Sequence, residues 1–501
     1  MSLIDLLAVK ASNMILQGAD MSDKEFVERE IQKWKNSPQR IMQIKGHLYY
    51  DGEHDILSRR RMVIGEGGKL EEVDNLPNNR LIDNQYAKLV NQKVNYLLGQ
   101  PFVVESENKR YVELLKNVFN KRFMKTLKNA GKAMLNNGIA WLYPNYSENG
   151  EFGFRIFPGY EILPFWKDSE HTILDAAVRL YSVMGYEGKT PVVIQKVEIY
   201  DLQGIHRFVL DGTTLVPDIV NNDESNSAHI TVTDVNGNTT ALNWTRIPLI
   251  PLKYNECEIP LLKRVKTLQD GINVMLSDFE NNMQEDARNT ILVLKNYDGT
   301  NLGEFRKNLA TYGAVKVRYD GETKGGVETL EIKVNADNYK VIIEIFKKAI
   351  VENGMGFDAK DDRLSGNPNQ MNIQSMYSDI DLNANEMETE LQAAFEEILW
   401  FVNVHFANMG EGDFEDERVT IIFNRDVLIN ESEAIANCAA SVGILSDETI
   451  VGQHPWVDDP QLELERLKKQ KEEAQAELYN PFGQQETTLP QNEGGDVDEE
   501  Q

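Results

Sequence analysis

The sequence predicts an α+β fold for an elongated, multi-part chain in which a β-rich middle section is flanked by helices. The hydrophobic fraction is 41% of 501 residues, which supplies enough apolar side chains for packed cores. Apolar residues recur every two positions in many segments between residues 139 and 250, and this is the period of strands. They recur every three or four positions in three later stretches, of which the longest covers residues 371–408.

The segment before residue 139 is predicted to be largely helical. Ser22-Asp-Lys-Glu25 has the pattern of a capping box, in which the Ser and Glu side chains satisfy each other's backbone N–H groups. It predicts a short helix through Lys35 that Pro38 ends. Helical spacing over residues 81–98, followed by a glycine and a proline, predicts a second helix. Residues 109–136 are predicted to be further helix.

Residues 139–250 are predicted to be mainly antiparallel β structure. The segment 139–157 alternates apolar and polar side chains on both sides of a turn at Glu148-Asn-Gly150, which is typical of a hairpin. Residues 192–212 continue as a meander. Asn236-Gly237 gives the strongest hairpin signal, because a type I′ turn needs positive φ at both central residues.

A different pattern begins after Pro260. Steps of three and four between apolar residues predict a helix of roughly 26 residues, about 39 Å long. A compact α/β segment follows, and a second helix is predicted from Ala336 to Asn353. We expect the apolar stripes of both helices to form core or subunit contacts. The stripes consist of Leu261, Val265, Leu268, Ile272, Met275 and Phe279 in the first helix and of Ile342, Phe346 and Ile350 in the second.

A loop and a very long helix are predicted next. Residues 357–370 are polar, contain glycine and proline, and show no apolar period, so they are predicted to be a loop. The helical pattern over 371–408 contains neither glycine nor proline and spans about 57 Å. Because a helix gains most of its stability by packing an apolar face, this helix needs neighbours along its whole length. It favours an elongated assembly.

The C-terminal part is predicted to contain short elements and a tail. A strand is predicted near residues 419–423, and helices over 431–442, 447–453 and 460–478. From Glu472 onward the chain carries nine acidic residues and no basic one, which is typical of a disordered acidic tail.

The net charge is the most informative bulk property. It is −28, from 80 acidic and 52 basic residues. DNA affinity comes mainly from Lys and Arg that displace counterions from phosphates, so this chain is poorly suited to gripping DNA over a large surface. It can nevertheless surround DNA without holding it. The densest basic cluster, Arg59-Arg-Arg61, is predicted to be solvated surface, and simple solubility is the alternative explanation of the acidity.

The sequence shows no pattern for nucleotide binding, zinc binding or nucleophilic catalysis. It lacks GxxxxGK[ST], HExxH and GxSxG, and it has no GxGxxG after a strand. The seven histidines lie in seven separate neighbourhoods. Cys257 and Cys438 are far apart, which fits a reducing compartment and gives no disulfide framework. We therefore expect no catalytic residue, no metal and no cofactor.

Two acidic clusters are the remaining candidates for a cation site. Asp379 and Asp381 are two positions apart in a predicted helix, so their side chains point about 200° apart and do not converge. Asp361-Asp362 lie in the predicted loop between Lys360 and Arg363, where a solvated tip of mixed charge is the simpler interpretation.

Neither a membrane span nor a secretory signal is predicted. No stretch approaches 18 uninterrupted apolar residues. The N-terminal segment Met1–Met21 carries Asp5 and Lys10 within its apolar stretch and lacks a small-residue cleavage site. We expect no membrane partner.

Six segments of the chain form an ordered set. They are HLYYDGEHDILSRRR (47–61), NRLIDNQYAKLVNQKVNYLLGQPF (79–102), FPGYEILPFWKDSEHTILDAAVRLY (157–181), IPLLKRVKTLQDGINVMLSDFENNMQEDARNTILVLKNYDG (259–299), FDAKDDRLSGNPNQMNIQSMYSDIDLNANEMETELQAAFEEILWF (357–401) and ETIVGQHPWVDD (448–459). Together they resemble the portal proteins of long-tailed bacteriophages of Gram-positive hosts. The resemblance covers about residues 25–470 and is interrupted chiefly near 183–240. The ordered set is specific, although no single motif is mechanistic.

The resemblance implies a ring, typically of twelve subunits, with a β-rich wing, a stem, a small α/β clip and a helical crown around an axial channel. In chain order it implies an N-terminal extension (1–24), a wing (25–250), a first stem helix (251–286), a clip (287–335), a second stem helix (336–356), a tunnel loop (357–370), a long tunnel and wing helix (371–408), a wing strand (409–429), a crown (430–478) and a disordered acidic tail (479–501).

The resemblance also implies the function and the partners. Portal proteins form the channel at one capsid vertex for DNA packaging, retention and ejection, and they are virion components that assemble in the host cytoplasm. The implied partners are further copies of the chain, double-stranded DNA passing without sequence preference, the large terminase, the head–tail adaptor, and the major capsid and scaffolding proteins. The clip is expected to dock first the terminase and then the adaptor.

The loop 357–370 resembles the tunnel loop, which faces DNA at the channel constriction. We expect Lys360 and Arg363 to be the principal DNA contacts and to tune retention rather than drive motion. The amide side chains in this loop contact phosphates more weakly. The expected DNA-facing residues are Lys360, Asp361, Asp362, Arg363, Asn367, Asn369 and Gln370.

Two other functions remain open at this point. One is a capsid-associated adaptor or scaffold without a channel, which a ring with a central hole would argue against. The other is a metal-dependent packaging nuclease, which would nick plasmid DNA in the presence of magnesium.

Overall fold

Helices and antiparallel sheets follow one another along the described part of the chain. The computed structural model describes residues 23–64, 68–74, 76–147, 149–218, 226–233, 239–286, 290–295, 326–331, 336–358, 370–425, 431–457 and 460–479. The helices are α1 Asp23–Lys35, α2 Pro38–Asp51, α3 Gln85–Leu98, α4 Lys109–Val118, α5 Lys121–Asn137, α6 Leu262–Asp286, α7 Ala336–Asn353, α8 Gln370–Asn408, α9 Glu431–Ala440, α10 Asp447–Gly452 and α11 Pro460–Tyr479. The strands are β1 Met62–Ile64, β2 Leu70–Glu72, β3 Val103–Glu105, β4 Ile139–Tyr146, β5 Phe152–Pro158, β6 Ile162–Trp166, β7 Leu174–Glu187, β8 Thr190–Asp201, β9 Gly204–Asp211, β10 Thr214–Pro217, β11 Asn226–Ser227, β12 Ile230–Thr233, β13 Thr239–Leu242, β14 Ile250–Lys253, β15 Thr290–Lys295, β16 Gly326–Glu331 and β17 Thr420–Ile422.

The fold class is α+β, as the sequence predicts. Helices make up 51% and strands 23% of the structure. The chain forms two compact units. The first consists of Met1–Ala359 with Met376–Val427, and the second of Lys360–Ser375 with Leu428–Gln501.

The first two helices meet at a capped boundary. α1 ends at Lys35, as predicted. Pro38 is also the first residue of α2. The missing backbone N–H of a proline has no energetic cost at this position, because the first N–H groups of a helix have no partner within the helix. The Ser37 hydroxyl accepts a hydrogen bond from the Arg40 N–H at 3.2 Å and caps α2. Ser22 of the predicted capping box lies outside the described residues.

Two helix boundaries differ from the prediction because asparagine side chains cap the helices. α3 begins at Gln85 rather than at residue 81, since Asn84 Oδ1 accepts from the Ala87 N–H at 2.9 Å. The predicted run 109–136 is two helices, α4 and α5. Asn120 interrupts it by accepting from the backbone N–H groups of Arg122 and Phe123.

The β-rich section of the first unit forms three layers. The large sheet has the order β10-β9-β8-β7-β6, with β11 on β9, and the smaller sheet has the order β14-β4-β5. Neighbouring residues of β6 face opposite sides, as strand geometry requires. Trp166 stacks on Trp141 of the small sheet, with ring centroids 5.7 Å apart, and Phe165 packs in a core with Ile31 of α1. The large sheet therefore lies between α1 and the small sheet.

The predicted hairpins are largely present in these sheets. β4 pairs with β5, and β7, β8 and β9 form a meander, all antiparallel. β12 and β13 also pair, but their predicted turn at Asn236-Gly237 lies outside the described residues.

The long helices are present as predicted. α6 has 25 residues, and α7 covers the predicted range Ala336–Asn353. β15 and β16, which lie between them in the chain, form an antiparallel pair. α8 has 39 residues, and five phenylalanine rings, with paired centroids 4.8–6.3 Å apart, pack it against neighbouring elements of the first unit. They are Phe102, Phe119, Phe123, Phe395 and Phe423.

The second unit contains the helices α9, α10 and α11, close to their predicted ranges. Ser446 caps α10 by accepting from the Thr449 N–H. The Cys438 thiol of α9 donates to the Ile450 carbonyl of α10 at 3.8 Å. Among the described residues 431–457 and 460–473, Cys438 is the one buried side chain.

Candidate functional site

The helices α6 and α7 pack side by side in the first unit. A Cβ on Gly271 would lie 2.9 Å from the Phe346 ring, so this glycine allows the close approach of the two helices. The Phe279 and Tyr339 rings are 5.1 Å apart, and the Asn282 amide donates to the Tyr339 hydroxyl at 3.2 Å. The pair is therefore joined by apolar and polar contacts.

The predicted stripe residues divide into two groups. Four are buried within the protomer, and the others are partly exposed, with Ile342 the most exposed at 37%. The buried ones are Leu261, Val265, Ile272 and Ile350. The partly exposed ones are Leu268, Met275, Phe279, Ile342 and Phe346.

A ladder of polar side chains forms the most deeply buried face of α6. Four residues at a spacing of four are essentially inaccessible to solvent: Gln269, Asn273, Ser277 and Asn281. The sequence prediction missed them, because it assigned the buried face from apolar residues alone. Amide and hydroxyl side chains at i, i+4, i+8 and i+12 within a long helix are the signal that would have identified this face.

The ladder binds the segment 79–84, which runs antiparallel to α6, and the first turn of α3. Each rung accepts one backbone N–H: Asn281 from Asn79 (2.7 Å), Ser277 from Leu81 (2.9 Å), Asn273 from Asp83 (3.2 Å) and Gln269 from Tyr86 in α3 (3.0 Å). Four helical residues rise about 6.0 Å and two extended residues about 6.6 Å, so the two repeats nearly match over the rungs Asn281, Ser277 and Asn273. The helix side chains thereby replace the partner strand that an extended chain normally needs.

A buried histidine extends the ladder toward α2. The Asn273 amide donates to His54 Nδ1 at 2.8 Å, and His54 Nε2 lies 3.0 Å from the Tyr49 carbonyl. This arrangement requires a neutral ring protonated at Nε2. Burial lowers the pKa of His54, which agrees with the neutral form.

An ionic cluster fastens the start of α6 to α2. Lys266 contacts Asp270 at 2.6 Å and Asp55 at 2.8 Å, and the Tyr49 hydroxyl donates to Asp270 at 2.5 Å. Burial alone would raise the pKa of Asp55, but hydrogen bonds from Lys266 and Lys45 outweigh it and lower the pKa to about 2. The carboxylate is therefore ionised at every physiological pH.

The arginine cluster predicted to be solvated surface is partly engaged with α6. Arg59 and Arg61 contact Asp278 at 3.0 and 3.8 Å, and Arg60 contacts Glu72 at 2.9 Å. The prediction is wrong for Arg59 and Arg61, because their guanidinium groups are largely shielded and paired with the helix.

A buried lysine joins the end of α7 to α8. Lys93 of α3 is 2% exposed, and its Nζ donates to the Met355 carbonyl at 2.8 Å and to Asn383 Oδ1 at 2.6 Å. The Tyr254 hydroxyl donates to the same Asn383 oxygen at 3.2 Å. We call Lys93, Met355 and Asn383 the lysine junction.

Further contacts hold the chain where it leaves α7. Gln92 donates to the Phe357 carbonyl at 2.6 Å and accepts from the Phe357 N–H at 3.0 Å. Added Cβ atoms on Gly354 and Gly356 would lie 2.3 and 2.4 Å from the Leu89 side chain, so these glycines allow the close approach of the chain to α3. The Phe357 ring stacks on Tyr377 of α8 with centroids 4.3 Å apart. The segment up to Phe357, the first residue of the predicted tunnel loop, is thus fixed on both α3 and α8.

Burial and, to a smaller extent, the nearby Arg264 lower the pKa of Lys93 to about 7, although Glu386 and Asp379 oppose the shift. A neutral amine still has two N–H donors. Both hydrogen bonds of the lysine junction therefore persist after the proton is lost.

The acidic residues of α8 near this junction serve structural contacts. Asp381 accepts from the Tyr96 hydroxyl at 2.9 Å and pairs with Arg425, which also contacts Glu388 at 2.8 Å. Asp381 is therefore engaged by protein cations and donors. Asp361-Asp362, the other acidic candidate, lies outside the described residues.

The residues predicted to face DNA are mostly outside the described residues. Lys360, Asp361, Asp362, Arg363, Asn367 and Asn369 belong to this group. Gln370 is the first residue of α8.

Comparison with known proteins identifies the family. A family model described as "Phage portal protein, SPP1 Gp6-like" matches residues 28–477. The chain belongs to this family of phage portal proteins. The portal protein of Bacillus phage SPP1 is 30% identical over 489 residues, which cover 96% of this chain and 92% of that protein.

Two further proteins are similar to this chain. The portal protein of Clostridium phage phiCD119 is 27% identical over 463 residues, covering 89% of this chain and 96% of that protein. A chain in the solved neck of a native GTA particle is 12% identical with a TM-score of 0.34, covering 72% of this chain and 86% of that chain.

Portal proteins are structural proteins that form the DNA packaging channel of the phage head. Membership of the family favours this role over the channel-free adaptor and the packaging nuclease. Among the described helices of the portal chain, none is long and apolar enough to cross a membrane.

The ladder predicts a large cost for replacing Asn273. Asn273→Leu leaves the Asp83 N–H and the His54 Nδ1 atom without their partner and removes one of the two acceptors of the Gln269 amide, so we expect a loss of about 2–4 kcal/mol in the free energy of unfolding. Gln284→Leu is the matched control, since its exposed amide contacts Glu280 on the same helix, and its effect should stay within about 0.5 kcal/mol. Chemical unfolding of both variants measures the difference. Equal stabilities would contradict the ladder.

The lysine junction predicts a pH dependence of stability. Between about pH 7 and pH 10 the unfolded chain keeps a proton on Lys93 that the folded chain has lost, so stability rises with pH. Relative to Lys93→Met, the wild type should gain about 2 kcal/mol in the free energy of unfolding between pH 7 and pH 9. Urea unfolding at the two pH values measures it, with Lys88→Met on the same helix as control. Parallel pH profiles of wild type and Lys93→Met would refute the prediction.

Proposed function

We propose that this chain is the subunit of a ring, of twelve copies, through whose axis double-stranded DNA is packaged, retained and ejected at one capsid vertex of the virion. The observation that carries this proposal is the family match over residues 28–477. Assembly takes place in the host cytoplasm, and the other partners are the large terminase, the head–tail adaptor, and the major capsid and scaffolding proteins.

The parts of the protomer follow the order given by the sequence. Residues 25–250 with 409–429 form the wing, 251–286 and 336–356 the stem, and 287–335 the clip. The tunnel loop (357–370) joins the stem to the long helix 371–408, and residues 430–478 form the crown, with 1–24 and 479–501 as extensions. Support comes from the side-by-side packing of α6 and α7 and from the lysine junction, which fixes the end of α7 against α8.

Exposed apolar side chains support contact between neighbouring copies. The side chains of Val341 and Ile345, both in helix α7, are 55% and 58% exposed to solvent. In the second unit Ile444 is 80% and Trp456 72% exposed. Large apolar side chains left in water on several elements are typical of surfaces that another chain covers.

A conduit for a polyanion must be rigid and must not hold phosphates. The polar ladder and the ionic cluster give α6 a fixed position, which supplies rigidity. The net charge of −28 disfavours long-lived contacts between the lining and DNA. Lys360 and Arg363 of the tunnel loop then slow back-slippage of the strand without driving it.

Movement of the DNA requires energy from a partner. We assign ATP hydrolysis to the terminase docked on the clip, because the chain lacks a GxxxxGK[ST] phosphate loop. The adaptor takes the same position after packaging. ATP hydrolysis by the purified portal protein in the absence of terminase would contradict this assignment.

Ring formation tests the proposal and the role of the apolar face of α7. Negative-stain microscopy and native mass measurement should show the wild type as rings with an axial hole. Ile345→Asp places a charge in a contact between copies, so we expect rings to be largely lost while the secondary structure is kept. Ile345→Leu, which stays apolar, should form normal rings. A wild-type protein that is a compact monomer or dimer would refute the ring.

The tunnel-loop assignment is tested during packaging. Lys360→Ala with Arg363→Ala removes both proposed phosphate contacts, so we expect packaged DNA to be retained less well after the motor is released. Asn367→Ala with Asn369→Ala is the matched control, since it changes two side chains of the same loop without changing its charge. Nuclease sensitivity and length of the packaged DNA are the measurements. Unchanged retention in the basic-residue variant would show that these residues are not the brake.

A further inference from the structure

One helix departs sharply from the acidic character of the chain. α5 carries five basic residues and no acidic one among its 17 residues, whereas the whole chain has a net charge of −28. The preceding helix α4 adds three more basic residues and one glutamate. We call the five bases of α5 the basic face: Lys121, Arg122, Lys125, Lys128 and Lys132.

Four of these five basic residues form a row along one side of α5. Lys121, Lys125, Lys128 and Lys132 follow one another at steps of four, three and four, so they share one side of α5 over about 16 Å. The opposite side is buried and apolar, through residues such as Leu127. Packing therefore fixes the orientation of the helix and turns the row outward.

The basic face is largely without protein partners. Among the residues that the structure describes, Lys121, Lys125 and Lys128 form no ion pair. Arg122 lies 3.7 Å from Glu151, but the two side chains are 83% and 71% exposed, so this pair contributes little. Lys132 lies 5.7 Å above the Tyr50 ring.

Helix stability does not explain these charges. Lys121 and Arg122 occupy the first turn of α5, where the helix dipole is already positive and basic side chains are unfavourable. Sparsely paired cations of one sign in an otherwise acidic protein point instead to an anionic ligand.

We propose that the basic face binds the phosphate backbone of double-stranded DNA outside the axial channel, without reading sequence. The proposal rests on the portal function, which brings the chain next to DNA. Double-stranded DNA carries one negative charge per about 1.7 Å of helix axis, so about nine phosphates of the two strands lie within 16 Å, more than the five bases can contact. α5 exposes no large apolar side chain, although a protein partner normally needs an apolar contact core, so DNA fits this surface better than an acidic protein.

A position outside the channel follows from the mechanism. Each phosphate contact adds affinity that must be broken whenever the strand advances. Five such contacts in every copy of a ring would hold DNA that has to slide. On the outside, the same contacts bind DNA that does not have to move through the ring.

Covalently closed circular plasmid tests the proposal, because it cannot thread the channel of a closed ring. Affinity of assembled rings is measured between 50 and 200 mM salt. With five phosphate contacts the wild-type affinity should fall about 500-fold over this range, and with two contacts left in the Lys121→Gln, Lys125→Gln, Lys128→Gln variant about 12-fold. At the lower salt concentration the variant should also bind more weakly than the wild type.

The matched control changes the net charge equally at other exposed positions: Lys24→Gln, Lys33→Gln and Lys69→Gln. It should keep the wild-type salt dependence.

The proposal is overturned if the α5 variant behaves like this control, if wild-type rings do not bind the plasmid, or if the α5 variant no longer forms rings, which would make the face a contact between copies. A rise in affinity on removal of residues 480–501 would also overturn it, since the acidic tail would then be the occupant. Failure of the wild type to form rings would instead refute the proposed function.

Discussion

The position of the long helices depends on the need to satisfy the backbone of one extended segment. Residues 79–84 run along α6 without a partner strand, and unpaired N–H groups in such a place would each cost about 1–3 kcal/mol. α6 meets this need with polar side chains at every fourth position, whose rise nearly matches two residues of extended chain. The match sets both the rotation and the register of α6 along the segment. Because α3 follows the segment directly, the ladder also determines where α3 begins.

The lysine junction connects α3 to the end of α7 and to α8. Lys93 reaches the Met355 carbonyl beyond the end of α7 and Asn383 within α8, which are separated in the chain by the tunnel-loop segment. A lysine in such a place is costly because of desolvation, and the pKa of about 7 reflects this cost. The amine needs no charge to keep both bonds, so the junction tolerates either protonation state. The chain is therefore held in place on both sides of the segment that we propose to be the tunnel loop.

The charged residues of this portal chain are unevenly distributed. The overall acidity suits a conduit through which a polyanion slides, and Lys266 of α6 and Arg425 beside α8 are paired with carboxylates. α5 differs from the chain as a whole, because it carries five basic residues and no acidic one. The net charge of the whole sequence conceals such a helix. A count of charged residues in windows of the length of a helix would have revealed it.

The sequence by itself determined the fold class, the ranges of α6, α7 and α8, most of the hairpins and, through an ordered set of segments, the family. These features depend on local periodicity, caps and turn residues, which the chain expresses within a few residues. The tertiary structure alone decided that Asn273 and its neighbours form the buried face of α6, that Lys93 is buried, and that Arg59 binds Asp278. It also revealed which stripe residues, such as Phe346, remain partly exposed in a single protomer. The contacts of Asn273, Lys93 and Arg59 depend on partners about 200 or more residues away in the chain, and the free energy of burying a polar group depends on whether such partners are in reach.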